Sequence, residues 1–210
     1  MWALYKKEIS GFFSSLTGYV VILVFLLLNG LFMWVVPGQF NLLETGVASL
    51  DTMFAIAPWL YLFLVPAISM RTLAEEKRSG TLDLLLTRPV SEWQIVLAKF
   101  AAVWTLVLLS MVPTFLHLWS VYRLGSPPGN LDMGGSLGSY VGLFFLGGIY
   151  AAIGLFSSAL TSNQVVSFLL AVVLSFLLYL GFGFSERFGG IGPACLFLFQ
   201  NWGSGSITVP

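Results

Sequence analysis

Five stretches of the chain carry no charged residue and are apolar without interruption. They cover residues 16–36, 52–70, 100–122, 139–162 and 163–185, which is 21, 19, 23, 24 and 23 residues. A helix of about 20 residues crosses a hydrocarbon layer of about 30 Å. Lipid offers the backbone no hydrogen-bond partner, so only helices and closed barrels span it. The runs show no period-two alternation, so they predict helices. The pattern therefore predicts an all-α, polytopic membrane bundle with five clear spans. The first run is too long for the core of a cleaved signal peptide, which holds roughly 7–15 apolar residues. It reads as a permanent span.

Composition supports this pattern. Hydrophobic residues make up 58% of the 210 and charged residues 9%, and the mean hydropathy is +0.93. A soluble domain carries roughly 25% charged residues. The balance excludes a soluble enzyme and a secreted disulfide scaffold. Nine basic and nine acidic residues cancel, so no bulk field draws in nucleic acid. Cys195 is the one cysteine, and no intrachain disulfide can form.

The basic residues set the orientation. The segment 71–99 holds Arg71, Lys77, Arg78, Arg88 and Lys99, and the N-terminus holds Lys6 and Lys7. The segment 37–51 has no basic residue, and 123–138 has only Arg123. The N-terminus and the 71–99 loop are thus expected in the cytoplasm. Trp34, Trp119, Tyr122 and Tyr140 fall at expected outer ends. Beyond the fifth span, the apolar part of 188–210 is too short to return across the bilayer unaided. It reads as a re-entrant or interfacial piece, or as an incomplete terminus.

Two polar segments interrupt the apolar pattern. In residues 1–15, Trp2, Tyr5, Ile9, Phe12 and Phe13 recur at helical spacing, with Lys6, Lys7, Glu8 and Ser10 on the other side. This predicts an amphipathic helix in the headgroup layer, its lysines reaching anionic lipid. The segment 71–99 holds five of the nine basic residues and four of the nine acidic ones. Residues 71–78 read as a charged continuation of the second span, broken at Ser79-Gly80. Residues 81–87 read as one or two helical turns ended by Arg88-Pro89. Ser91 and Gln94 read as a capping box that starts the third span's helix.

Within that segment, Glu76-Lys77-Arg78-Ser79-Gly80-Thr81-Leu82-Asp83-Leu84-Leu85-Leu86-Thr87-Arg88-Pro89-Val90 resembles the loop between spans two and three of type-2 ABC transporter permeases. The resemblance covers residues 1 to about 187. It implies that the N-terminal helix is an elbow helix and that 81–87 is a coupling helix seated in a separate ATPase subunit. The contacts it implies are Glu76, Arg78, Gly80, Thr81, Leu82, Asp83, Leu85 and Leu86. More narrowly, the opening WALYKKEISGFFSSLTGYVV and SMRTLAEEKRSGTLDLLLTRPV are similar to the gliding-motility-associated permeases, the GldF type. Such a chain is expected in a bacterial inner membrane, beside a second permease subunit, identical or not. The family expectation is six spans, so residues 188–210 read as atypical and a truncated or altered C-terminus is expected.

The remaining polar residues add little chemistry. No G-x-x-x-x-G-K-[ST] occurs. The chain is expected to bind no cofactor, with ATP and magnesium held by the partner. His117 is the one histidine and reads as interfacial. No span carries a mid-helix carboxylate or base, which argues against a proton-coupled pump. Gly138, Gly142, Gly147, Ala151, Gly154 and Ser158 read as a small-residue stripe for close helix packing. Pro58, Pro66 and Pro113 read as kinks. An intramembrane enzyme and a non-transporting scaffold of a motility or secretion complex are the competing functions. The first lacks paired carboxylates or a nucleophile–base set in the spans.

Overall fold

The computed structural model describes residues 1–38, 40–46, 48–81, 91–125 and 131–187. Among them every regular element is helical. α1 is Trp2–Ser14, α2 Thr17–Trp34, α3 Leu42–Thr45, α4 Asp51–Ser79 and α5 Glu92–Met111. A 3-10 turn, Val112–Thr114, leads into α6, Phe115–Leu124; α7 is Met133–Leu160 and α8 Gln164–Arg187. Five stretches are long and apolar enough to cross a membrane: α2, α4, Glu92–Leu124 taken as one run, α7, and Gln164–Gly181 within α8. The architecture is the expected polytopic helical bundle.

Each span is apolar all round but has two distinct faces. On α2, Val21, Phe25, Asn29 and Met33 are buried at i, i+4 spacing, while Leu23, Leu27 and Leu31 are exposed. A water-soluble helix would place polar residues at the exposed positions. Here they are leucines, as lipid contact requires.

The bundle is arranged around α4, which packs mainly on α7 and α8, then on α2, and only lightly on α5. α1 lies along α5. Aromatic pairs fill the interior: Phe25 stacks on Tyr61 at 4.6 Å, and Phe115 stacks on Tyr140 at 4.7 Å. Their hydroxyls are satisfied locally. Tyr61 pairs with Ser110 Oγ at 2.9 Å, and Tyr140 accepts from Thr114 Oγ1 at 3.0 Å.

Small residues let α7 approach its neighbours closely. Gly142, Gly147, Ala151 and Gly154 are all buried. A Cβ on Gly147 would lie 2.5 Å from Val107 Cγ1, and one on Gly154 would fall on the Ser69 hydroxyl of α4. Gly148 leaves room for Trp104, whose indole N–H donates to the Phe144 carbonyl at 3.0 Å.

Several boundaries depart from the sequence pattern. Pro58 and Pro66 lie inside α4, which remains one helix of 29 residues. Pro113, by contrast, sits in the 3-10 turn that separates α5 from α6. Ser91 occupies the N-cap of α5, but its side chain makes no capping hydrogen bond, so the expected capping box is not formed. α7 starts at Met133, six residues before the charge-free run at 139, because Asp132 caps it by accepting from Gly135 N at 3.0 Å.

Three outcomes follow for stability in detergent. Gly154→Ala should destabilise the chain by about 1–3 kcal/mol through overpacking. Gly11→Ala, with nothing within 4 Å of the added carbon, should be neutral or stabilising by up to about 1 kcal/mol. Asp132→Ala should cost about 1 kcal/mol, and Asp132→Asn should recover most of it. Thermal unfolding of the purified variants checks all three.

Candidate functional site

The loop joining α4 to α5 has well-defined roots. The last turns of α4 carry Arg71, Glu75, Glu76, Lys77 and Arg78. The helix stops at Gly80, which adopts a left-handed conformation with φ +69° and sends its N–H to Lys77 O at 3.3 Å. Glycine takes that conformation without the steric cost of a Cβ. The Ser79 hydroxyl lies 2.8 Å from Thr81 Oγ1. Arg78, Gly80 and Thr81 are exposed at this root. Leu82, Asp83, Leu85 and Leu86 lie outside the described residues, as does the rest of the short helix expected at 81–87 beyond Thr81.

Behind the loop sits a buried cation. Lys99, one turn into the apolar part of α5, is 1% exposed. Its ammonium lies 3.0 Å from Glu8 Oε1 on α1 and 2.9 Å from Glu76 Oε1 on α4. It also donates to the Thr72 carbonyl on α4 at 2.7 Å. An ammonium has three donors, and here each has one acceptor. A lysine this deep stays charged only if it is paired. One side chain thus joins three helices.

Glu76 is turned towards Lys99, with a side-chain exposure of 15%. The sequence pattern placed Glu8 with Lys6, Lys7 and Ser10 on the solvated side of α1. That placement is corrected, because the buried ammonium draws Glu8 inward to a side-chain exposure of 13%. Along α1, Phe12 is buried and Tyr5 and Ile9 are half-buried, while Trp2, Lys6 and Lys7 are exposed. Trp2 stacks on Tyr5 at 5.3 Å, and the Lys6 ammonium sits 5.5 Å from the Trp2 ring centre. Tyr5 pairs with Thr105 Oγ1 of α5 at 2.9 Å, a second tie between α1 and α5.

A second polar contact holds the same stretch of α4 to α7. The Ser158 hydroxyl accepts from Leu73 N at 3.1 Å and from Ala74 N at 2.9 Å, and donates to Met70 O at 3.0 Å. In a regular helix Ala74 N–H would bond Met70 C=O directly. The hydroxyl stands beside that rung, a kind of insertion that bends helices. Lys77 Nζ donates to the Ala159 carbonyl one residue on. Neither Ser158 nor Lys99 stood out in the sequence. A lysine immediately before a charge-free run, four residues or fewer from several small residues, was the available signal for Lys99. Ser158 had none beyond its place in the small-residue stripe.

Among the described residues the other end of the bundle holds no comparable cluster. Trp34 Nε1 donates to His117 Nδ1 at 3.3 Å, tying α2 to α6. A cavity of about 190 Å³ lies between the starts of α4 and α7, lined in part by Asp51, Asp132, Ser136 and Ser139. Among the described residues no three metal-ligating side chains converge. Among the described residues the site at the loop roots holds no nucleophile with its base; its groups fasten helices to one another.

A family model described as ABC-2 family transporter protein matches residues 2–190. No curated protein matches the chain, and no solved structure does. The matched region takes in α1, every membrane-spanning helix and the loop between α4 and α5, so the chain belongs to the ABC-2 transporter family, as a membrane-embedded permease subunit of an ABC transporter.

Proposed function

We propose that this chain couples ATP hydrolysis by a separate ATPase subunit to a change in the membrane bundle, as one of two permease chains of an exporter. ATP and magnesium are bound by the ATPase, which grips the loop 81–90 from the cytoplasm. The N-terminus and this loop are cytoplasmic and the membrane is the bacterial inner membrane, in keeping with the basic residues at Lys6, Lys7, Lys77 and Arg78. The partner chain is a second permease subunit, identical or not.

The observation that carries this reading is the length of α4. It runs as one helix from Asp51 to Ser79, so its charged end is continuous with the apolar part. A displacement of the loop is then delivered into the bundle by a rigid rod rather than lost in a flexible linker. The ATPase can shift the permease only by its differential affinity for two arrangements of that rod. A role in gliding motility rests on the resemblance of residues 2–21 and 69–90 to those permeases.

The experiment is ATPase activity of the purified complex. Gly80→Pro places a residue fixed near φ −65° where φ is +69°, and Asp83→Arg reverses a charge in the loop. Both should return the ATPase to its rate without the permease, with membrane insertion intact by cysteine accessibility. Full stimulation by both variants would overturn the coupling reading.

A further inference from the structure

The two roots of the α4–α5 loop barely touch each other. α4 packs mainly on α7 and α8, and α5 on α1 and α7. The direct polar link between the two roots at the loop end is the Lys99 ammonium, held by Glu76 and the Thr72 carbonyl of α4 and by Glu8 of α1. Lys99 lies eight residues into α5 and Glu76 four residues before Gly80. The cluster therefore sits directly behind the loop, one to two turns along each flanking helix.

We infer that Lys99 is a positioning residue that locks the interfacial helix α1 to both roots of the loop, so that α1 moves as one body with α4 and α5. The inference rests on the coupling role proposed above and extends it: the unit that answers the ATPase is three helices, not two. The physical argument is the cost of opening the cluster. Parting a buried ion pair leaves an uncompensated charge out of reach of water. Surface ion pairs, screened by water and salt, could not hold elements together in this way. A rigid-body displacement of the loop roots together with α1 keeps all three contacts, whereas a displacement of α4 alone breaks two, those to Glu76 and the Thr72 carbonyl. The motion of least cost carries Glu8, and with it α1, whose exposed face bears Trp2, Lys6 and Lys7. The Tyr5–Thr105 contact at 2.9 Å acts in the same sense on α5.

Glu8→Gln is the clean variant, because Lys99 keeps Glu76 and Thr72 and no buried charge is left alone. The first measurement uses the full chain by itself in lipid nanodiscs, with Cys195→Ser and spin labels at Ser10 and Glu75, both exposed. Electron–electron double resonance should give one narrow distance distribution in the native background and a broad one with Glu8→Gln. Glu8→Asp keeps the carboxylate and should give a distribution narrower than that of Glu8→Gln. The second measurement uses the complex with its ATPase. Glu8→Gln should lower permease-stimulated ATP hydrolysis by about five-fold or more while the ATPase still co-purifies, and Glu8→Asp should lower it less. An unchanged distribution in Glu8→Gln, or one in Glu8→Asp as broad as in Glu8→Gln, overturns the inference. So does stimulation that stays at the native level when the distribution broadens. If no ATPase is stimulated even by the native chain, the coupling reading fails, and the distance measurement alone decides whether Lys99 positions α1.

Discussion

A polar group out of reach of water must find its partner inside the chain, and the rest of this structure depends on that constraint. It makes each apolar run a helix, since only a helix closes its own backbone hydrogen bonds in lipid. It also accounts for how several interior polar side chains are placed. Tyr61 meets Ser110, Tyr140 meets Thr114, and Ser158 fills its capacity on α4. Lys99 is the extreme case. Its charge could not persist in the bundle unless two acids and a carbonyl surrounded it, and those come from two other helices.

The same constraint explains why α4 holds the centre. It is the longest helix, and α7 meets it through glycines, with backbones close enough for Ser158 to reach the α4 main chain. Without a hydrophobic drive between helices in lipid, close contact and interhelical hydrogen bonds supply the association. The membrane-facing sides of α2, α7 and α8 carry leucine, valine and phenylalanine instead. The loop end has the ion cluster and the Ser158 contact, while the lipid-facing sides have only apolar groups that exchange neighbours at little cost.

Much of this was legible in the chain. The number and approximate bounds of the spans came from length and charge alone, because the bilayer imposes both. Gly80 as the stop of α4 was legible too, since few residues other than glycine take a left-handed conformation readily. The cap at Asp132 went unread: the charge-free run starts at 139, and charge marks where a span must be buried, not where a helix begins. The opposite fates of Pro66 and Pro113 went unread as well. Proline removes one donor in either place, and only the neighbouring helices determine whether the chain continues through it.

At the loop roots the division is sharper. Sequence by itself determined that a charged helix end, a glycine stop and a basic loop stand between the second and third spans, because periodicity and local conformational preference are properties of a few consecutive residues. Only the tertiary structure decided that Glu8 turns inward, that Lys99 is buried, and that Glu76 faces it, because those three residues are brought together across as many as 91 positions of chain. An amphipathic helix can present a given residue to water or to a neighbour. Which of the two occurs depends on the charge waiting on the next helix, and that is set by packing.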